Sequence, residues 1–209
     1  MPRATSRKKP SRPRVRRPKQ ARSKATVDAV MEATARILER DGLAGFTTNK
    51  VAARAGVSIG SLYEYFDSKD AILRAWCERY VATVRAVIDQ RFDSLGDAHP
   101  NDAVVPFLDA IFEVNLARPP FVRLLLEKLP ALLGNHPLAD IDDHLARRWE
   151  AALRKVGAPL PDDVGLRLYT LTRMGRSVTA SWFIEGRGNQ ELPGLKRALA
   201  AIITASLSA

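Results

Sequence analysis

The chain has 209 residues, 46% of them hydrophobic and 27% charged, and carries a formal net charge of +10. That balance fits a soluble globular protein of one large or two small domains, and no apolar run reaches the roughly 18–20 residues that span a bilayer. The single cysteine, Cys77, excludes an internal disulfide, and the scattered His99, His136 and His144 give no familiar metal-ligand spacing.

Residues 1–24 hold eleven of the 33 lysines and arginines and no acid: Arg3, Arg7, Lys8, Lys9, Arg12, Arg14, Arg16, Arg17, Lys19, Arg22 and Lys24. With its 23 acids, the rest of the chain is close to neutral. The tail also contains four prolines and, beyond alanine, only Met1 and Val15 as apolar residues. It has too little to bury against the entropy of ordering, so the segment 1–24 is expected to be disordered alone. Clustered guanidinium groups neutralise phosphates and release counterions, which makes this a candidate nucleic-acid arm able to enter a minor groove. No apolar stretch follows the basic residues as it would in a secretory signal, and the expected location is the cytoplasm.

From Ala25 onward the pattern is helical and no β alternation persists, so the expected fold class is all-α. In the first helix Val27, Val30/Met31, Thr34 and Ile37/Leu38 recur at three-to-four spacing, and Gly42 stands where a C-cap belongs. Thr48 is the expected N-cap of a second short helix carrying Val51, Ala52 and Ala55. Gly56-Val57 breaks the chain for a few residues before Ser58 caps a third helix carrying Leu62 and Phe66. Ser68 opens a long fourth helix with the stripe Ile72/Leu73, Trp76/Cys77, Tyr80/Val81, Val84 and Val87/Ile88. After a loop near Gly96–Pro100 come four or five further helical stretches, divided at Pro119-Pro120, Gly134–Pro137, Gly157–Pro161 and Gly186–Gln190.

Two short helices joined by a tight turn containing glycine, and braced by a preceding helix, form a helix-turn-helix. Small residues at Ala52 and Ala55 allow close helix approach. Ser58, Ile59, Gly60 and Ser61 are short and lie at the N-terminal end of the second helix, the end that meets base edges in a major groove. The run GLAGFTTNKVAARAGVSIGSLYEYFDSKDAIL over residues 42–73 resembles the DNA-binding region of TetR-family regulators. The motifs that carry the likeness are Thr47-Thr48, Ala55–Ser58, Leu62–Phe66 and Ser68–Asp70, and the likeness covers roughly residues 25–75. It implies that Thr48, Asn49 and Lys50 approach bases or phosphates. It further implies that Ser58, Ile59, Gly60 and Ser61 line the groove, while Tyr63, Tyr65 and Lys69 meet the backbone, positioning the protein without reading sequence. The expected organisation is a tail over 1–24, a DNA-binding head over 25–68, and a ligand-binding and dimerisation body over 69–209.

For the body, the resemblance implies an effector cavity lined partly by the fourth helix and a dimer built on the last two long helices. Candidate cavity residues are Trp76, Tyr80, Phe107, Ile111, Asn115 and Trp149, a set that fits a hydrophobic small molecule. The candidate dimer seam is Val164, Leu168, Leu171, Gly175, Val178 and Trp182, at alternating spacings of four and three, joined by Leu195, Leu199 and Ile202. The expected partners are double-stranded operator DNA, a second copy of the chain and an effector, with no membrane. The function so read is a repressor that binds palindromic DNA as a dimer and is released by its effector.

No phosphate-binding loop, dinucleotide-binding glycine pattern, G-x-S-x-G or HExxH is present, so no catalytic residue, cofactor or metal is expected and the chain does not read as an enzyme. Asp140, Asp142, Asp143 and His144 read as an exposed polar helix face. The competing reading is a sequence-independent nucleic-acid binder driven by the basic tail, which leaves the detailed head motif without a purpose.

Overall fold

The computed structural model describes residues 19–117, 122–124, 126 and 138–207. The basic residues before Lys19 and the breaks read at Pro119-Pro120 and Gly134–Pro137 lie outside the described residues. Within them the regular structure is entirely helical: α1 (Lys19–Gly45), α2 (Thr48–Ala55), α3 (Ile59–Tyr63), α4 (Lys69–Asp93), α5 (Val104–Leu116), α6 (Ala139–Lys155), α7 (Val164–Glu185) and α8 (Leu192–Leu207). Short 3-10 turns at Pro100–Ala103 and Asn189–Glu191 lead into α5 and α8. The fold is an N-terminal helix-turn-helix head joined through α4 to a helical body.

Helix α1 starts six residues before Ala25, where the sequence pattern becomes helical, because Lys19–Lys24 follows the tail's last proline and is rich in good helix formers. It kinks at Gly42, whose φ of 62° lies in the left-handed region. Three N-caps then set the head. Thr47, one residue before the expected Thr48, accepts from the Lys50 amide; Ser58 accepts from Ser61, and Ser68 from Ala71. Each satisfies an amide that the first helical turn leaves unpaired. Between α2 and α3, Gly56 adopts φ 69°, and its amide closes on the Ala52 and Ala53 carbonyls. Helix α3 stops at Tyr63, so Phe66 falls just beyond it, yet Phe66 is still buried beneath the head.

Val30, Ile37, Leu38, Phe46, Val51, Leu62, Ile72 and Leu73 form the packed centre of the head, all at most 3% exposed. Phe46 is completely buried there. Phe46→Ala removes a large ring whose space its neighbours cannot refill, at a cost of about 3–5 kcal/mol. The expected result is a fall in the thermal midpoint of roughly 10 °C, followed by circular dichroism; a midpoint unchanged within error would mean that the head core does not depend on this ring.

In the body, α6 packs against both α4 and α7, and α5 against α4 and α8. Phe92 of α4, Phe107 of α5 and Trp149 of α6 meet as a cluster of tilted and edge-on rings, Phe92 and Trp149 at 5.1 Å between centroids. The end of α4 and the residues just after it are also tied to α6 by polar contacts. His144 Nε2 lies 2.8 Å from Asp89, Arg148 reaches Asp89 and Asp93, and Lys155 lies 3.1 Å from Asp97. Cys77 is buried in this core, which pushes its thiol up to about 12, so it stays a protonated packing residue.

Candidate nucleic-acid interface and effector cavity

Helix α3 presents its N-terminal end outward. Ser58, Ile59 and Gly60 are exposed, Ser61 is half-buried, and Leu62 on the opposite side is fully buried. The Ser58 hydroxyl has two local tasks, accepting from the Ser61 amide at 3.0 Å and donating to the Ser61 hydroxyl at 2.9 Å. The outward hydroxyl proton of this pair is therefore that of Ser61. Ile59 is 40% exposed; an aliphatic side chain left in water at a helix start is one that a thymine methyl could cover.

Tyr63 and Tyr65 are both exposed, and their hydroxyls meet neighbouring elements: Tyr63 with Thr48 of α2 at 3.3 Å, Tyr65 with Ser23 of α1 at 3.1 Å. Asn49 and Lys50 are exposed on α2, with Lys50 Nζ 3.6 Å from Asp41. Asp41 itself is held down to about 2, chiefly by the Arg40 guanidinium that hydrogen-bonds it. Lys69 stands at the start of α4 with its ammonium 5.6 Å from the centre of the Phe46 ring. Of the ten sequence-read head residues, eight are exposed and two, Thr48 and Ser61, are half-buried. Sequence reasoning missed Ser23, which lies in the segment read as tail.

The body holds a partly open cavity of about 120 Å³ between α4, α5, α6, α7 and α8. Five of the six residues read from sequence line it: Tyr80, Phe107, Ile111, Asn115 and Trp149. The sixth, Trp76, does not. One turn nearer the head than Tyr80, it lies in a cleft with Asp28, Met31 and Arg79, packed toward α1. The Asn115 side chain is buried, accepting from the Tyr80 hydroxyl at 2.7 Å and donating one amide hydrogen to the Ile111 carbonyl at 2.7 Å. Burial pushes the Tyr80 phenol well above its ordinary range, so it remains a donor.

Two readings of the body need correction. Asp142, read as part of an exposed polar face, is only 2% exposed and lines the cavity, paired with Arg176 Nε at 2.8 Å. Of its neighbours in that reading, Asp140 and Asp143 are exposed, Asp143 meeting Arg173, whereas the His144 side chain is only 14% exposed and turns to Asp89 of α4. The available signal was helical spacing, since Asp142 shares a face with Leu145 and Trp149. No group of three or more metal-ligating side chains occurs among the described residues.

The second correction concerns the seam. Val164, Leu168, Leu171, Trp182 and Leu199 are buried within the single chain, and Leu168, Leu171 and Gly175 line the cavity. Gly175, Val178 and Leu195 are half-buried. The broadest apolar stripe of α7 turns inward because the body must close around its own cavity. What α7 and α8 leave outside is Leu166 at 66%, Tyr169 at 52% and Ile202 at 47% exposure. Of the nine seam residues, only Ile202 is exposed.

Residues 30–76 match the profile of a family described as bacterial regulatory proteins, tetR family. Among relatives, the HTH-type transcriptional regulator YerO of Bacillus subtilis is 26% identical over 99 residues, 47% of this chain and 34% of YerO. An HTH-type transcriptional regulator of Haemophilus influenzae is 32% identical over 66 residues, 32% of this chain and 35% of that protein. The chain spans about a third of the length of these two relatives. Among solved structures, the transcriptional regulator FadR of Bacillus subtilis in complex with stearoyl-CoA superposes with a TM-score of 0.69 at 14% identity, covering 86% of this chain and 98% of that one. That likeness is one of fold.

Proposed function

The chain belongs to the TetR family of bacterial regulatory proteins, and on that premise we propose that it is a transcriptional repressor that binds palindromic DNA as a dimer and leaves it when an effector fills the body cavity. The observation that carries the DNA-binding part is the outward end of α3. It combines small exposed residues on an otherwise buried helix with phenols, an amide and lysines grouped on its flanks. Ser61, Ile59 and Asn49 are the residues proposed to read bases. Tyr63, Tyr65, Lys50 and Lys69 are proposed to hold phosphates, with Thr48 steadying Tyr63.

The effector part rests on the cavity and on how its walls connect to the head. Helix α6 contributes Asp142, Leu145 and Trp149 to the cavity and, one face round, His144 and Arg148 to the clamp on α4. Helix α4 begins at Lys69 and runs into the body, so a ligand that shifts α6 displaces the element on which the head rides. Such coupling requires only that the ligand bind one arrangement better than the other. FadR, of similar fold, binds an acyl-CoA, so a body of this architecture can host a largely apolar ligand.

Selection from a random duplex pool with the full-length chain tests the reading. The expected result is enrichment of an inverted repeat with half-sites about one helical turn apart. Binding without an enriched sequence would sink it and favour the sequence-independent, tail-driven alternative.

A further inference from the structure

The cavity's polar groups are not evenly divided between donors and acceptors. The hydroxyls of Thr172 and Thr179 donate to the carbonyls of Leu168 and Gly175, and the Tyr80 hydroxyl donates to Asn115. Their protons are committed to the wall, so what the threonines can offer a ligand is oxygen lone pairs. Asp142 adds a carboxylate. Its one hydrogen-bonded oxygen is Oδ2, engaged at a single point by Arg176 Nε, and no hydrogen bond reaches Oδ1 among the described residues. The donors left in the wall are Arg176, one Asn115 amide hydrogen and the Trp149 indole N–H.

The two members of the ion pair differ in their access to water. The Asp142 side chain is 3% exposed, whereas that of Arg176 is 28% exposed and partly reaches solvent. Burial outweighs the arginine's pull, leaving the Asp142 carboxyl above the usual carboxylate range. A carboxylate buried this deeply, hydrogen-bonded at one point to Arg176 and influenced by Arg173 only through its charge, keeps one oxygen open to a further charged donor. The remaining lining is aromatic and aliphatic and includes Trp149 and Phe107; the face of such a ring attracts a desolvated cation. An anion placed here would meet lone pairs and the Asp142 carboxylate, and would have to share the one guanidinium.

We infer that the effector is a compact lipophilic cation, an aromatic or alkyl amine, whose charge is taken by Asp142 while its apolar part lies against Trp149 and Phe107. This rests on the reading of the cavity as the effector site. The cavity is near the size of one that admits a single benzene ring, about 150 Å³.

Phenethylamine, phenylethanol and phenylpropionate, matched in their apolar part, are titrated calorimetrically into the full-length chain and into Asp142→Asn. A charge-assisted hydrogen bond to a buried carboxylate corresponds to about tenfold or more in affinity. The amine should therefore bind at least about tenfold tighter than the alcohol, and the acid weakest. In Asp142→Asn that preference should vanish while the alcohol still binds. Equal binding of amine and alcohol, a tighter acid, or an amine preference that survives in Asp142→Asn would overturn the cation assignment and leave the cavity reading intact. No binding of any of the three would overturn both. Should Asp142→Asn fail to fold, Arg176→Gln supplies the check. Without the competing guanidinium, the amine must raise the melting temperature of Arg176→Gln more than that of the parent, and an equal or smaller rise overturns the assignment.

Discussion

Leu166→Glu combined with Ile202→Glu is expected to leave a folded monomer that binds an inverted repeat about a hundredfold or more weakly than the parent chain, because the second head then no longer binds at high effective concentration. The two positions stand on the outer faces of α7 and α8 with Tyr169, and all three are large apolar side chains left in water by the single chain. A carboxylate at each place costs the monomer little, since neither side chain takes part in the core. In a dimer, each would bring unpaired charges into a sealed surface, and its two-fold axis repeats the penalty. The arrangement around Tyr169 fits the same use: the Arg173 guanidinium lies 3.7 Å from the centre of its ring and limits its motion. Analytical ultracentrifugation reads the oligomeric state, and anisotropy on the selected duplex reads the affinity. A variant that stays dimeric with unchanged affinity would place the interface elsewhere on the body. Leu168→Glu serves as the contrast. It buries a charge in the cavity wall, so it should unfold the body rather than split a dimer.

The seam shows where the sequence stops being legible. Spacing finds the strongest apolar stripe on α7, but spacing is the same whether a stripe covers a neighbour or a partner. The decision rests on how α7 is rotated against α6 and α8, and that is fixed by contacts far apart in the chain, such as Arg176 with Asp142 and Arg167 with the Ser206 carbonyl. Asp142 was hidden for a related reason. Among Asp140, Asp143 and His144 it looks like surface, and only the partner on α7 makes its burial tolerable. The head, by contrast, is written in local chemistry. Thr47, Ser58 and Ser68 cap amides three residues ahead, and Gly56 takes a backbone conformation that a side chain would strain, so its elements follow almost residue by residue. The cavity falls between these cases. Tyr80 and Asn115 were identifiable as polar groups on apolar helices, whereas Trp76 shares the Tyr80 face of α4 but sits one turn too close to α1.

Deleting residues 1–18 should weaken binding to the selected duplex and flatten its salt dependence while leaving the preferred sequence unchanged. Residues 25–68 carry Arg36, Arg40, Lys50 and Arg54 against six acids, and some of those bases are already committed: Arg36 to Glu32, Arg40 and Lys50 to Asp41. A head so balanced attracts a polyanion weakly. The missing attraction is available in Arg3, Arg7, Lys8, Lys9, Arg12, Arg14, Arg16 and Arg17. If about half of these engage phosphates, the slope of log affinity against log salt falls by about 3–4 on truncation. The cut belongs at Lys19 and not later, because α1 begins there and Ser23 meets Tyr65, a proposed phosphate contact. A truncation to residue 22 would disturb the head as well as the tail and confuse the two effects. Equal affinity and slope after removing residues 1–18 would mean that the tail does not touch DNA. Loss of all binding, including any preference among sequences, would move the weight of the interaction from α3 to the tail. The expected outcome separates the two contributions: the tail supplies attraction that any duplex shares, and α3 supplies the difference between one duplex and another.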